Sequence, residues 1–129
     1  MGLANLKYIN QIHEKRRALS RLYDEKLKTL KAIKPLWHSK ATENFPYYPI
    51  VLESEELLLK LKKEMDSQEI FTRRYFYPSL ASALPYLPKL ELSITEDIAK
   101  RSLCLPFYYD MTFEEVEFIA RLMLRIQNN

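Results

Sequence analysis

Glycine and cysteine are almost absent from this chain. Gly2 is the single glycine among 129 residues, and phosphate-binding loops need glycine where backbone N–H groups approach an anion closely. Walker-type and Rossmann-type sites are therefore excluded. Cys104 is the single cysteine, so no disulfide can form within the chain, and its apolar neighbours predict that it packs as a small hydrophobe. The absence of disulfides fits a reducing cytoplasm.

Long apolar runs, paired histidines and a strong charge of one sign are also lacking. The sequence has no apolar segment of membrane-spanning length and no signal-like N-terminus, so we expect a soluble, cytoplasmic protein. The net charge of +3 is small for a dedicated nucleic-acid binder. His38 is one of two histidines and has no partner at metal-ligand spacing, so no zinc site is expected and His38 should lie at the surface.

The N-terminal part of the chain carries a helical pattern. Apolar residues recur at three- and four-residue steps from Leu3 to about Ile33, which predicts one long amphipathic helix. Nearly thirty residues at 1.5 Å each would span roughly 40 Å, more than a single small domain can cover. We therefore expect an exposed apolar end on this helix, formed by Leu3, Leu6, Ile9 and Ile12.

Shorter elements follow the long helix. A strand is predicted over Tyr47–Leu52, in which Pro49 favours an edge position or a missing ladder bond. Ser54 is placed to cap a helix from Glu55 to about Asp66. The prolines at 78, 85 and 88 rule out a regular helix between them, which leaves an ordered loop or short turns.

The C-terminal part contains two candidate capping boxes. Ser93 with Glu96 predicts a short helix to about Lys100, and Thr112 with Glu115 predicts a last helix to about Ile126. A short strand over Leu103–Leu105 lies between them. Together these elements predict an α+β fold: a two-layer single domain over residues 1–129, in which a small, three-stranded, mostly antiparallel sheet packs on helices.

The most unusual stretch of the sequence is Glu69–Leu80, where aromatic and β-branched residues surround two arginines. It predicts a strand that places Arg73 and Tyr75 on one face and Arg74 on the other. Regular strand pairing should end at or before Tyr77, because Pro78 cannot donate a ladder hydrogen bond. Guanidinium groups bind phosphate, and tyrosine rings can stack on a sugar or form hydrogen bonds with it. The candidate substrate-binding residues are Arg73, Arg74, Tyr75 and Tyr77.

Other interpretations of the same stretch stay open at this point. Phe71, Tyr75 and Phe76 could be core residues while the arginines pair with carboxylates. A strand with aromatic and arginine side chains could also stack single-stranded RNA, in a non-catalytic α+β binding module. The RNA-recognition signature, however, needs glycines beside its aromatic residues, and this chain lacks them. A purely structural remnant is the third interpretation.

Two segments carry a family resemblance. The run Thr72–Pro78, with its Thr-Arg start and Tyr-Pro end, and the run Ser93–Tyr108 resemble the closing third of the DegT/StrS-type aminotransferases. Those pyridoxal-phosphate enzymes aminate nucleotide-linked keto-sugars. The Thr112-x-x-Glu115 start of the last helix and the opening Met1–Leu6 are similar as well, so the resemblance covers essentially the whole chain. Many members carry His where this chain has Tyr75.

The resemblance implies a fold, a cofactor and partners. The chain resembles the C-terminal small domain, and its 129 residues contain nothing like the large domain whose lysine forms the Schiff base. The resemblance implies that the chain is a C-terminal fragment or truncated form of an aminotransferase. That enzyme would act on nucleotide-linked keto-deoxy sugars in lipopolysaccharide, O-antigen or other cell-surface sugar biosynthesis. Such a chain would contribute substrate-side contacts without being catalytic alone, and pyridoxal phosphate would belong to the intact parent.

The partners that the resemblance implies are the large domain and a nucleotide-linked sugar. Self-association of the chain through the first helix is expected separately, from the exposed apolar end of that helix. Arg101 resembles the family's fixed arginine before the last strand and is expected to pair with a carboxylate.

Overall fold

The structure, a computed structural model, describes residues 2–86, 88 and 92–129. Within them it contains six helices and three strands, which confirms the α+β fold. The helices are α1 (Gly2–Leu6), α2 (Ile9–Lys26), α3 (Glu55–Asp66), α4 (Leu80–Ala83), α5 (Ser93–Arg101) and α6 (Phe113–Asn128); the strands are β1 (Ala32–Ile33), β2 (Tyr48–Leu52) and β3 (Ser102–Leu105). None of these helices is both long and apolar enough to cross a membrane.

The described residues fall into two compact units. The helical unit consists of the residues up to Leu30 together with Leu36–Tyr48 and Pro106–Asn129. The sheet unit consists of Lys31–Pro35 and Pro49–Leu105. The expectation of one domain is not tested by this division and stays a prediction.

In the helical unit, α2 packs against α6. The capping box predicted for α6 is confirmed: the Glu115 amide donates to Thr112 Oγ1 at 3.1 Å and the Thr112 amide donates to Glu115 Oε2 at 2.7 Å. One face of α6 is buried, as its apolar spacing requires. Tyr23 of α2 is fully buried, and its hydroxyl donates to the Pro106 carbonyl oxygen at 3.0 Å.

The prediction of one helix from Leu3 to Ile33 is wrong in two respects. The helix ends at Lys26, because Ala32 and Ile33 pair with Leu52 and Val51 in the sheet, and this pairing overrides the helical periodicity. A turn also separates α1 from α2, where the Tyr8 amide bonds to the Asn5 carbonyl three residues back. The expected exposure is confirmed for Leu3 at 83% and Leu6 at 59%, and Ile9 is also exposed; Ile12 is half-buried.

In the sheet unit, the strands lie in the order β1-β2-β3, with β1 antiparallel to β2. The predicted strand at Tyr47–Leu52 is confirmed as β2. Of the two alternatives given for Pro49, the edge position is wrong because β2 is the central strand, which leaves the missing ladder bond. On the β1 side Pro49 costs no ladder bond, because β1 pairs only with Val51 and Leu52. The predicted helix α3 is confirmed, with Ser54 Oγ accepting from the Leu57 amide at 3.1 Å.

Two short elements differ from the sequence prediction. The strand predicted within Glu69–Leu80 is absent, because this stretch has only an isolated bridge between Arg73 and Cys104. The one-turn helix α4 fits between Pro78 and Pro85, where the prolines were expected to exclude a helix. The rest of that predicted loop lies partly outside the described residues, at 87 and 89–91.

Candidate functional site

The site is an exposed loop whose two ends are hydrogen-bonded to other elements. At its start, the Arg73 amide donates to the Cys104 carbonyl oxygen at 3.1 Å and the Cys104 amide donates to the Arg73 carbonyl oxygen at 2.7 Å. At its end, the buried hydroxyl of Ser79 donates to the carboxylate of Glu96 in the first turn of α5. We call residues 74–78, which lie between these two anchors, the aromatic loop.

Arg74 is the inner member of the arginine pair. Its side chain is 15% exposed and forms an ion pair with Glu55, with Arg74 Nη2 3.1 Å from Glu55 Oε1. The same nitrogen donates to the Lys100 carbonyl oxygen at 2.8 Å. The guanidinium carbon lies 3.6 Å from the centroid of the Tyr77 ring, which is cation–π stacking. Pairing of an arginine here with a carboxylate is therefore confirmed.

Arg73 is the outer member of the pair. Its side chain is exposed, and its guanidinium has no hydrogen bond or ion pair to any residue that the structure describes. Thr72 before it is buried. The sequence placed the two arginines on opposite faces of a strand; that strand is absent, and the structure leaves Arg73 exposed while Arg74 is half-buried.

The aromatic side chains near the loop face solvent in this chain. Phe71 is 70% exposed and Phe76 is 74% exposed, and Tyr75 and Tyr77 are also exposed, at 40% and 44%. The rings of Tyr75 and Phe76 meet edge to face with centroids 5.6 Å apart. The interpretation of Phe71, Tyr75 and Phe76 as core residues is therefore wrong. An exposed cluster of large aromatic side chains is typical of a contact surface.

An apolar groove of about 500 Å³ lies beside the loop. Tyr75 and Phe76 line it together with Leu80 of α4 and with Ile94 and Ile98 of α5. Pyridoxal phosphate needs a lysine for its Schiff base and an acidic partner for its ring nitrogen. Neither a lysine nor an aspartate is among the described residues that line this groove, so the groove does not fit that cofactor.

Three other groups singled out in the sequence are Arg101, Cys104 and His38. Arg101 pairs with Asp97, as expected, and its Nη1 donates to the Leu52 carbonyl oxygen at 2.8 Å; the hydrogen bond from Arg101 lowers the pKa of Asp97. Burial raises the pKa of the Cys104 thiol, which makes it less reactive. His38 is exposed, and the described part of the chain holds no cluster of residues fit for a metal ion.

Sequence reasoning missed the residues that fix the loop. Ser79, Glu96 and Glu55 hold it in place, yet Glu55 lies 19 residues before Arg74 and Ser79 lies 17 residues before Glu96. No local motif connects partners at such distances. The predicted capping box also assigned Glu96 to Ser93, and that assignment is wrong because Leu92 precedes α5 with no side-chain cap.

The chain belongs to the DegT/DnrJ/EryC1/StrS aminotransferase family, whose model matches residues 1–124. It is 30% identical, over 98% of its own length, to a dTDP-4-amino-4,6-dideoxy-D-glucose transaminase of Shigella dysenteriae. It is also 30% identical, over 95% of its length, to the enzyme of the same name from Escherichia coli. The chain spans about a third of these relatives, namely 36% and 35% of their lengths.

The fold of the chain also matches solved structures. The aminotransferase TlmJ of Streptoalloteichus hindustanus superimposes with a TM-score of 0.88 at 19% identity, over 98% of this chain and 35% of that one. At this identity the likeness concerns the fold alone. The family assignment favours the aminotransferase interpretation of the sequence over the RNA-binding one.

Proposed function

We propose that the chain is the C-terminal small-domain part of a pyridoxal-phosphate-dependent aminotransferase. The enzyme would act on nucleotide-linked keto-deoxy sugars that are precursors of lipopolysaccharide, O-antigen or other cell-surface sugars. This chain supplies contacts on the substrate side and is not catalytic alone. The proposal rests on the family match over residues 1–124 and on the activity for which the two curated relatives are named.

The observation that carries the substrate contact is the exposed, doubly anchored loop. The four proposed substrate-binding residues, Arg73, Arg74, Tyr75 and Tyr77, lie in this loop or directly before it. An arginine with free donors suits a diphosphate, and an exposed tyrosine ring suits the face of a sugar or a base. Because both ends of the loop are bonded to other elements, little ordering should be needed on binding, which favours affinity.

A titration tests this proposal. The ¹⁵N-labelled chain is titrated with dTDP-4-amino-4,6-dideoxy-D-glucose, the compound for which the relatives are named. The amide signals of residues 72–79 are expected to shift, and Arg73→Gln should reduce the affinity. Lys28→Gln removes one positive charge from an exposed position in the helical unit and is the matched control. Absence of shifts at millimolar ligand, or shifts confined to the helical unit, would contradict the proposed contact.

We further propose two protein partners. The exposed side chains of Leu3, Leu6 and Ile9 would meet the large domain of the parent enzyme. In the isolated chain they would meet a second copy of themselves. Exposed apolar side chains in α1 and at the start of α2 support this, because soluble proteins seldom leave groups of such side chains uncovered.

A further inference from the structure

We infer that the two adjacent arginines have different roles: Arg73 is the phosphate ligand, and Arg74 is a positioning residue that Glu55 holds in place. The assignment of Arg73 rests on the proposed function. The assignment of Arg74 does not, because it follows from contacts within the sheet unit.

The hydrogen-bonding protons of Arg74 decide its role. A guanidinium group grips a phosphate with two parallel hydrogen bonds, either from Nη1 and Nη2 or from Nε and Nη2. Both arrangements need a free proton on Nη2. Nη2 of Arg74 carries two protons, and it already donates to Glu55 Oε1 and to the Lys100 carbonyl oxygen. Arg74 therefore cannot offer a two-bond grip unless it releases one of these partners.

The rest of the Arg74 side chain is also unavailable to a ligand. Its Nε is buried and has no hydrogen-bond partner among the described residues, and the Tyr77 ring covers one face of the guanidinium group. The contacts come from three places: the first turn of α3, the last turn of α5 and the loop itself. A residue bonded in this way fixes the position of the aromatic loop relative to α3 and α5.

Arg73 has the opposite properties. Its backbone is fixed by two hydrogen bonds to Cys104, while its exposed guanidinium keeps its donors free of the residues that the structure describes. A fixed backbone and free donors are what a phosphate ligand requires. The neighbouring exposed Tyr75 lies in the same loop.

Chemical labelling separates the two roles. Phenylglyoxal modifies accessible guanidinium groups, and tandem mass spectrometry of a chymotryptic peptide distinguishes Arg73 from Arg74. Because each hydrogen bond to a charged group must open before reaction, we expect Arg73 to react at least about tenfold faster than Arg74. Glu55→Gln should raise the rate at Arg74 several-fold and leave Arg73 unchanged. Glu56→Gln, which changes an exposed carboxylate in the same turn, is the matched control and should alter neither rate.

A spectroscopic signature accompanies the labelling. Arg74 side-chain protons over the Tyr77 ring should resonate upfield, and Tyr77→Leu should remove that shift. Equal labelling of both arginines in the wild-type chain would overturn the positioning role, even if Glu55→Gln failed to fold. So would the absence of an upfield shift.

The phosphate assignment has its own readout. Added dTDP should slow the labelling of Arg73 and leave Arg74 unaffected. Protection of Arg74 instead of Arg73 would overturn the division of roles. Protection of neither, with Arg74 still slow to react, would contradict the nucleotide-sugar function and the ligand role of Arg73. The positioning role of Arg74 would then stand.

Discussion

The hydroxyl of Ser79 donates a hydrogen bond to the carboxylate of Glu96, and this bond joins the end of the aromatic loop to the first turn of α5. Ser79 is buried, and its oxygen also accepts from the Ser82 amide at 3.3 Å, which caps α4. A single side chain thus terminates the loop, starts one helix and binds another. The sequence pattern had paired Glu96 with Ser93 instead.

The first prediction compares these two serines. Ser79→Ala should lower the free energy of unfolding by about 1–3 kcal/mol, since it removes a cap and a hydrogen bond to a charged group. Ser93→Ala should change it by less than about 0.5 kcal/mol, because Ser93 is exposed and caps nothing. Urea unfolding of both variants measures the difference. Equal losses, or a larger loss for Ser93→Ala, would contradict the observed bonding.

Local signals predicted local structure well. Ser54 before Glu55 and Thr112 before Glu115 defined helix starts that the structure confirms, because a cap and its amide lie within three residues of each other. Leu103–Leu105 lies within β3 for a similar reason: a short apolar run bounded by polar residues and Pro106 favours a strand.

Structure that depends on distant partners could not be read from the sequence. Residues 71–76 have the composition of a strand, but a strand needs a neighbour, and only Arg73 finds one in Cys104. Ala32 and Ile33 continue the helical periodicity of the N-terminal segment, and yet they pair with β2. At the site, the sequence identified the exposed Arg73 and Tyr75, but the partner Glu55 that removes Arg74 from solvent lies on another element.

The second prediction concerns alkaline pH. Burial, followed by the nearby Tyr108 and Glu115, raises the pKa of Tyr23 above its ordinary value of 10.0. The unfolded chain therefore releases this proton at a lower pH than the folded one. The stability that the neutral phenol contributes is fully present below about pH 10 and is lost as pH rises toward the folded-state pKa. Once the Tyr23 phenol is ionised in the unfolded chain, the free energy of unfolding falls by up to about 1.4 kcal/mol per pH unit.

Tyr23→Phe tests this dependence. At pH 8 the variant should be less stable by about 1 kcal/mol, because the Pro106 carbonyl oxygen loses its donor. Above pH 10 its stability should fall less steeply than that of the wild type, so the two curves converge. Tyr86→Phe, at a position 76% exposed, serves as the control and should keep the wild-type slope. Parallel curves for Tyr23→Phe and the wild type would refute the assignment.

The third prediction is that these 129 residues neither bind pyridoxal phosphate covalently nor transaminate by themselves. The reason is that no lysine is among the described residues lining the groove beside the aromatic loop, and the resemblance identifies no Schiff-base lysine in the chain. Incubation with the cofactor and borohydride, followed by peptide mapping, should show only scattered, substoichiometric modification of surface lysines. A stoichiometric adduct on one lysine would prove the prediction wrong.

The last prediction concerns self-association through the N-terminal helices. Leu3 and Leu6 of α1 and Ile9 of α2 are exposed, and burying such side chains contributes roughly 1.5–3 kcal/mol each when burial is complete. We expect the chain alone to form a two-fold dimer in which these helices run antiparallel, since a two-fold axis lets the same patch cover itself.

Sedimentation equilibrium should therefore show dimer at micromolar concentrations, and Leu6→Glu with Ile9→Glu should abolish it. Asn5→Glu with Gln11→Glu adds the same charge at exposed polar positions and should leave the dimer intact. A wild-type chain that stays monomeric at high micromolar concentration would exclude this dimer, as would a Leu6/Ile9 variant that dimerises as tightly as the wild type.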